Sequence, residues 1–454
     1  MKKRVKFLLS VIMGCVAAAV SAATVSVDPV NGVDEPSASA YKTLTYALAQ
    51  HGGDTTYNLA AGTYSADSGE TFPITLSGLA NVMLKGEGGQ AVLDASKTID
   101  VDGHGTRVMV VSASTGVVFE NLTITGGDPF SATRESIDGA GSAIYMTEAG
   151  DLSLRNCRVT RNTRHCDRSY GVVHCAASFA FSATDCEFSY NECASGESHG
   201  DAFSVVGTGS AVTFTNCIFA FNGRNGCTAY GSVIWNYRDG TVFRNCLIYG
   251  NYGLGSVYAS SGRTATFAGC TIAHNPRTFV SCHTYGCIAM TNTIAWGNGR
   301  IYDNRSGKLT DCVFQDGFGG MARFDPEFYD GYHVPPSNPA YGCGYQYPAS
   351  APAPVVTPVY YVDPATGADE NVGSSDAPFK TLTAALVKGG VSAEIHLAAG
   401  RYDVANGETF PLVLGDRLHF SIIGAGRGQT VVDATDAGSA IEATLLPVGF
   451  VIGM

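Results

Sequence analysis

The residues that bear on chemistry are a few arginines and scattered carboxylates. Cleavage of an acidic polysaccharide by elimination needs an Asp/Glu cluster to hold calcium and a Lys or Arg base on the same face. The candidate bases are Arg155, Arg158 and Arg244, because Lys308 is the only lysine between Lys97 and Lys380. The acidic residues of the same region are Asp151, Asp185, Asp201 and Asp239. These carboxylates stand at varied offsets from the repeat described below and form no stripe, so the sequence assigns no catalytic residue.

A second possible cluster is Gly103-His104-Gly105, which follows Asp100 and Asp102. Several Asp residues with a Gly-His-Gly are what a polygalacturonase-like hydrolase needs. Here they precede the repeats, and no Asp pair on a repeat strand accompanies them. We therefore interpret this match as a loop.

Asp28, Asn31 and Asp34 could ligate calcium as a short acidic turn. An Asx-type turn explains the same residues, and a second copy of this stretch has Thr366 at the Asn position. We predict no cofactor and no metal, and calcium at this turn is the alternative that stays open.

Cysteine spacing carries most of the structural information. A short phrase recurs, in which Asn or Asp precedes Cys, an apolar-rich stretch follows, and Asn comes five residues after the Cys. Its aligned positions are Leu122, Cys157, Cys186, Cys217, Cys246, Cys270, Thr293 and Cys312. A repeat of this size is typical of a solenoid. With many short apolar strands and 55 glycines, it predicts an all-β, right-handed parallel β-helix with a short capping helix, followed by the start of a second β-helix unit.

In such a helix, equal positions of successive coils stack about 4.8 Å apart. We expect the Cys and the apolar residue two positions later to point inward, and the Asn to turn the chain and hydrogen-bond to its neighbours in the coils above and below. The ladder cysteines are interpreted as buried thiols rather than disulfides, because parallel in-register strands keep their Cβ atoms too far apart.

The cysteines outside the ladder are Cys166, Cys175, Cys193, Cys227, Cys282, Cys287 and Cys343. A bridge between Cys193 and Cys227, and one closing the loop between Cys282 and Cys287, are both open. The neighbouring His-Cys pairs match no structural zinc spacing.

The chain divides by composition. Lys2, Lys3 and Arg4 precede an apolar run and a small-residue cleavage site before Ala23, which predicts export by a signal peptide; a lipobox ending at Cys15 is the alternative. The predicted domains are a signal peptide (1–22), a capping module with the first coils (23–128), the β-helix repeats (129–318), a closing segment (319–344), a Pro-rich linker (345–358) and a second, apparently truncated copy of the capping module (359–454).

Aromatic residues recur near strand ends at Tyr145, Trp235, Tyr237, Tyr249, Tyr252, Tyr258, Trp296 and Tyr302. They would either stack on sugar rings or pack within the coils. Packing is favoured, because Tyr145 and Trp235 are predicted to share a position with Cys175.

Three resemblances rest on these residues. The capping module resembles a domain of unknown function at the start of secreted bacterial β-helix proteins. The coils resemble repeats of polymorphic outer membrane proteins. The Asn292–Asn298 phrase, with Asp325-Pro326, resembles the closing segment of surface proteins with interchangeable anchors. These families imply export and surface display but no fixed reaction.

The net charge of −12 argues against nucleic acid and anionic membranes as partners, and no stretch of the mature chain is long and apolar enough to span a membrane. We expect an extracellular or cell-surface protein that binds extracellular polysaccharide or another cell surface without catalysis. A polysaccharide lyase, or another glycan-active enzyme, is the alternative. A scaffold module whose activity lies in a further C-terminal part is the third.

Overall fold

The structure, a computed structural model, describes residues 23–87, 91–99, 103–130, 139–164, 170–176, 178–193, 201–206, 212–223, 230–236, 239–252, 255–259, 263–275, 280–282, 287–298, 301–302, 308–315, 325–328, 332–346, 359–389, 392–413, 419–426, 428–435, 441–442 and 451–453. The predicted signal peptide lies outside these residues, as do 347–358 of the predicted linker. No helix in the described ranges is long and apolar enough to cross a membrane.

Three long parallel sheets form the β-helix, and each full coil contributes one strand to each sheet. Sheet A consists of Ala23–Val27, Thr55–Leu59, Val82–Gly86, Val117–Glu120, Gly150–Arg155, Phe179–Thr184, Val212–Thr215, Thr241–Arg244, Thr264–Ala268, Cys287–Thr291 and Leu309–Thr310. Sheet B consists of Gly62–Ser65, Ala91–Asp94, Leu122–Thr125, Arg158–Thr160, Glu187–Ser189, Ile218–Ala220, Leu247–Tyr249, Thr271–Ala273, Ile294–Trp296 and Val313–Phe314. Sheet C consists of Ile74–Ser77, Met109–Ser112, Ile144–Thr147, Val173–Cys175, Phe203–Val205, Tyr230–Asn236, Gly255–Ala259, Val280–Cys282 and Ile301–Tyr302. A small pair, Thr163–Arg164 with Glu192–Cys193, extends the turn after sheet B.

The second copy of the capping module forms the start of a second β-helix, as predicted. Its first sheet contains Val359–Val362, Ser392–Leu397, His419–Gly424 and Val451–Gly453. Two strand pairs complete it, Gly400–Tyr402 with Thr430–Val432 and Leu412–Val413 with Ile441–Glu442. Each copy has one α-helix, α1 at Leu44–His51 and α2 at Leu382–Gly389, and one 3-10 turn, at Ala66–Ser68 and Val404–Asn406.

The core is a set of columns, meaning residues at the same position of successive coils. The ladder cysteines are buried free thiols at positions 157, 186, 217, 246 and 270, which confirms the inward orientation and the buried-thiol interpretation. Thr293 continues this column, and its Oγ1 accepts a hydrogen bond from the Cys270 amide at 3.3 Å. Two residues after the Cys, Phe188 and Phe219 stack with ring centroids 4.9 Å apart.

The predicted Asn ladder is present and buried. Nδ2 of one Asn donates to Oδ1 of the Asn in the next coil at 2.8–3.1 Å, from Asn162 through Asn191, Asn222, Asn251 and Asn275 to Asn298. The same Oδ1 atoms also accept backbone N–H groups, for example Asn191 N onto Asn222 at 3.2 Å. The ladder therefore satisfies the polar groups of the turn, which would otherwise be buried without partners.

One detail of the turn prediction is wrong. The left-handed residue is not the ladder Asn but the residue before it, with φ of 53° at Arg161 and 54° at Tyr190. The other left-handed position is the Asn or Asp before the Cys, with φ of 48° at Asn156 and 55° at Asp185. There Asn and Asp tolerate positive φ, and their side chains form a second ladder, as between Asn216 and Asn245 at 2.8 Å.

The acidic residues in the motifs of the capping module bind the start of its helix. The α1 helix begins at Leu44, whose amide donates to the buried carboxylate of Glu70 at 2.6 Å. Asp34 accepts hydrogen bonds from the Thr43 amide and hydroxyl at 3.0 and 2.7 Å. A carboxylate at a helix N-terminus satisfies unpaired N–H groups and complements the helix dipole. Glu408 binds the Leu382 amide in the same way at 2.6 Å.

The closing segment, described over Asp325–Phe328 and Tyr332–Gln346, lies on the outer face of sheet B. It runs back towards earlier coils, from Cys343 beside Asp311 to Gln346, whose amide donates to Asn245 Oδ1 at 2.6 Å. Tyr345 packs in a buried cluster with Ile218 and Leu247. The predicted linker began at residue 345, but Tyr345 and Gln346 are bound to the coils.

We expect Asn222→Ala to lower the free energy of unfolding by about 3 kcal/mol, because it removes the amide and leaves buried N–H groups of Asn191 unpaired. Urea denaturation followed by circular dichroism checks this. The control is Thr215→Ala on the half-exposed outer face of sheet A, which we expect to cost less than about 0.5 kcal/mol. Equal losses in the two variants would contradict a structural role for the ladder.

We expect the five ladder thiols to resist alkylation in the native protein at pH 8 and to react fully in urea. Each is inaccessible, and burial also raises the pKa of the Cys186 thiol, which leaves little thiolate. Peptide mass spectrometry after treatment with iodoacetamide measures the modification. Labelling of Cys217 at the rate of a free peptide thiol would show that the column is not closed.

Candidate functional site

The outer face of sheet A is partly exposed and rich in hydroxyl groups. One column contains Ser153, Ser182, Thr213, Val242 and Thr266, all half-buried, and the Ser153 and Ser182 hydroxyls lie 2.8 Å apart. The neighbouring column contains Lys85, Glu120, Arg155, Thr184, Thr215 and Arg244 in register. Charged side chains, three positive and one negative, therefore recur on this face among neutral side chains.

One coil carries three exposed arginines around one edge, Arg155, Arg158 and Arg161. We call this group the arginine corner. Arg155 ends its strand in sheet A, and Arg158 begins the strand in sheet B. The single left-handed residue between the strands, Asn156, leaves Cys157 pointing inward and both arginines pointing outward. Arg161 follows at the left-handed turn after sheet B. One coil thus presents three guanidinium groups to solvent.

A buried carboxylate stands beside this corner. Glu187 occupies the position next to Arg158 in the register of sheet B and is 4% exposed. Arg158 Nε lies 3.1 Å from Glu187 Oε2, and the Ser189 hydroxyl donates to Oε1 at 2.6 Å. Burial raises the pKa of Glu187 above its ordinary value, although Ser189, Arg158 and Arg161 each act to lower it. Desolvation therefore outweighs the favourable contacts.

The corner lies where the outer face of sheet B changes character. On its N-terminal side the face is polar, with Thr123, Thr160 and Ser189. From Ile218 onward the face is apolar, and the closing segment covers it. Towards this boundary, Arg161 lies 5.7 Å above the Tyr190 ring, which stacks on Phe221 at 5.1 Å. The arginine corner thus lies at the end of the polar part of sheet B, next to the apolar part that the closing segment covers.

The carboxylates considered for catalysis do not come together. Asp151 accepts the Gly116 amide at 2.8 Å, Asp185 accepts the Asn216 side chain at 2.9 Å, and Asp239 pairs with Arg263 at 2.9 Å. Asp201 is fully buried. Lys308 is exposed beside the last strand of sheet A. Within the described ranges, no group of three or more His, Cys, Asp or Glu side chains could hold a metal ion.

The acidic turn considered for calcium is an Asx-type turn. Asp28 Oδ1 accepts the amides of Val30 and Asn31, both at 2.9 Å. Asp34 points elsewhere, to the start of α1. The pKa of Asp28 is lowered, mainly by the Asn31 hydrogen bonds. The Asp28 carboxylate therefore accepts hydrogen bonds from the backbone of the turn, and the Asp34 carboxylate accepts them at the start of α1.

The other metal and hydrolase motifs also separate. His104 stacks on Phe130 at 3.9 Å in a loop, while Asp100 and Asp102 lie outside the described residues. His174 and Cys175 are neighbours on one strand of sheet C and point to opposite sides. Of the other cysteines outside the ladder, Cys166 and Cys227 lie outside the described residues, and the side chains of Cys193, Cys282 and Cys287 are not described.

The prediction that Tyr145 and Trp235 share a position with Cys175 is wrong by one residue. The register pairs Tyr145 with His174, His174 with Ser204, and Ser204 with Trp235. These side chains point outward, whereas Cys175 points into the core. The prediction counted four residues from Gly141, Gly171 and Gly231, but the register shows that Gly171 stands one residue closer to its strand than Gly141 does.

The aromatic residues mainly pack against each other. The ring of His174 stacks on Tyr145 at 5.7 Å and on Tyr170 at 4.7 Å, and Arg107 lies 4.7 Å above Tyr145. Trp235 is buried beside Tyr170. Tyr249 and Tyr252 are also buried, Trp296 is half-buried, Tyr237 lies outside the described residues, and the side chains of Tyr258 and Tyr302 are not described. The described rings therefore offer no open platform for a sugar.

Sequence reasoning missed Glu187, Ser189 and Arg161. The signal available was the phrase RNCRVTRN at Arg155–Asn162, in which arginines recur every third residue. Exposed and buried residues alternate along this phrase, and a one-residue turn interrupts the alternation. Together these place all three arginines on the outside. Nothing local distinguishes Glu187 from a solvated residue.

Comparison with known proteins agrees with this architecture. Residues 30–170 and 365–448 match a model described as a protein of unknown function (DUF1565). Residues 170–325 match a model described as a right handed beta helix region. The chain is therefore a right-handed parallel β-helix protein. No curated protein matches it in sequence.

Two of the solved structures to which the chain is similar match it at low identity. Pectate lyase Pel9A has 13% identity and a TM-score of 0.39, over 73% of this chain and 94% of that one. The A-module of a mannuronan C-5 epimerase from Azotobacter vinelandii has 13% identity and a TM-score of 0.35, over 90% and 93%. At these values the likeness says nothing of activity or substrate.

We expect Glu187→Gln to stabilise the protein at neutral pH by on the order of 1 kcal/mol. A carboxyl whose pKa is raised by folding stabilises the native state while protonated, and this contribution is lost as the pH rises through the folded value. The neutral amide avoids that loss and still accepts from Ser189. Melting temperatures from pH 4 to 8 test this, and the two proteins should converge at acid pH. A variant less stable than the parent at pH 7.5 would contradict a net cost of the buried charge.

Proposed function

We propose that this protein is exported, is displayed at the cell surface or secreted, and binds acidic polysaccharide without cleaving it. The observation that carries the binding proposal is the arginine corner: three exposed guanidinium groups on one coil of a chain whose net charge is −12. Arginine binds carboxylate and sulfate groups with two parallel hydrogen bonds. Export is supported by the basic and apolar N-terminal sequence before Ala23.

The open face of sheet A extends this site along the β-helix axis. Arg155 and Arg244 share one column and are three coils apart, a distance of roughly 14 Å at the spacing of parallel strands. Hydroxyl side chains fill the positions between them. The rise of one coil is close to the length of one sugar residue in an extended chain, so successive sugars could meet successive coils.

Cleavage is less well supported than binding. A lyase base must lose its proton before it reacts, so an arginine base needs surroundings that disfavour its ordinarily protonated guanidinium. Arg158 instead pairs with a carboxylate, its Nε lying 3.1 Å from Glu187 Oε2. Glu187 itself is only 4% exposed and is engaged by Ser189. These contacts suit holding an anion better than removing a proton from a sugar.

We expect the chain from Ala23 onward to bind polygalacturonate, alginate or chondroitin sulfate, and not neutral dextran. Biolayer interferometry in 50 mM salt should give binding that weakens as salt is added. Arg155→Gln and Arg161→Gln should each weaken it about fivefold, by on the order of 1 kcal/mol for an exposed ion pair. Arg263→Gln, at a half-buried arginine that pairs with Asp239 away from the corner, is the control and should bind as the parent does.

Two outcomes would overturn this proposal. Equal binding to dextran, or equal loss in the Arg263 control, would remove the arginine corner as the site. Release of unsaturated oligosaccharides from any of the three polymers, followed by ultraviolet absorbance, would replace the non-catalytic function with lyase activity.

A further inference from the structure

We infer that Glu187 regulates the arginine corner, because it holds Arg158 against sheet B while ionised and releases it to an anionic ligand when protonated. This inference rests on the proposed function. It adds to that function a dependence on acidity and names the residue responsible. Glu187 acts through Arg158 and is therefore a positioning residue rather than a contact of the ligand.

The geometry places the carboxylate where it competes with a ligand for one guanidinium. Within the described part of the chain, Glu187 Oε2 has no hydrogen-bond partner apart from the Arg158 ion pair at 3.1 Å. The Glu187 side chain is 6% exposed, whereas that of Arg158 is 45% exposed. Arg158 thus spans from a buried anion to solvent. Its outer side can meet an incoming anion, but its charge is already partly neutralised from below.

The remaining groups around Glu187 do not provide another switch. From the strand of Arg158, the charged groups are Arg158 itself and Arg161 at its end, and the Thr160 hydroxyl lies 3.1 Å from the Ser189 hydroxyl. From the other side, the next strand presents Ile218 and Ala220, which cluster with Tyr345 of the closing segment. Two cations and no second carboxylate therefore face Glu187 in the described structure.

The burial of Glu187 determines the pH range in which it would regulate the arginine corner. Desolvation raises the pKa of Glu187 above that of an ordinary glutamate, despite the two arginines. Sulfate esters keep their charge in this range. As the pH falls, the corner gains one net positive charge while such a ligand stays anionic. By linkage, binding of the anion should in turn favour uptake of the proton.

Dextran sulfate is the suitable probe, because its charge does not change between pH 4.5 and 8. We expect the parent protein to bind it more tightly at pH 4.5 than at pH 7.5. Glu187→Gln should bind at pH 7.5 more tightly than the parent does at that pH, a gain of about fivefold for one exposed ion pair, with a flattened pH profile. Glu120→Gln, beside Arg155 on sheet A, is the matched control and should keep the parent's pH dependence.

The outcomes separate the two proposals. A Glu187→Gln variant that keeps the parent's full pH dependence, or binds more weakly at every pH, overturns the regulatory role and leaves polysaccharide binding intact. An equal flattening in the Glu120→Gln control assigns the effect to overall charge and also overturns it. Failure of the parent to bind dextran sulfate at any pH overturns both proposals.

Discussion

Each buried Asn of the ladder donates from Nδ2 to the Asn of the next coil and also to a strand carbonyl of the preceding coil, as Asn222 does to Asn251 at 2.9 Å and to Phe188 at 2.8 Å. These amides fix both the rise and the rotation from one coil to the next. The three sheets then remain in register, although the connections between coils vary in length. The outer columns inherit this register, which is why Arg155 and Arg244 line up although 89 residues separate them.

The parts of the fold that repeat could be read from the sequence. Cys157 and Asn162 recur at a fixed distance because the strand between them has a fixed length, and a fixed length gives a fixed direction for each side chain. The left-handed residue before the Asn was not recognisable, since Arg161, Tyr190 and Phe221 fill it with unrelated types. The position of Tyr145 relative to Cys175 was misread because a loop of variable length precedes that strand. Register is set across coils and not along the chain.

The arginine corner was only half predictable, for a related reason. Arg155 and Arg158 could be placed outside from alternation alone. Whether they stay solvated depends on the closing segment, which returns over more than a hundred residues to cover the same sheet beyond Ile218. The sequence shows that the segment includes Tyr345, but it does not show which coil Tyr345 packs against. The boundary between the covered and the open part of sheet B, and hence the site, is a tertiary property.

At Glu187, the residue present is not the one that would make this part of the fold most stable. Its neighbours in the same column, Ile218 and Leu247, show that an apolar residue fits this face. A buried charge costs free energy even when it is paired, and here the raised pKa indicates that Arg158 and Ser189 do not fully offset it. Residues that break the local rule without a structural return tend to occur at functional sites. Among the described residues, the exposed group that pairs with Glu187 is Arg158, so we expect its effect on the surface to pass through that guanidinium.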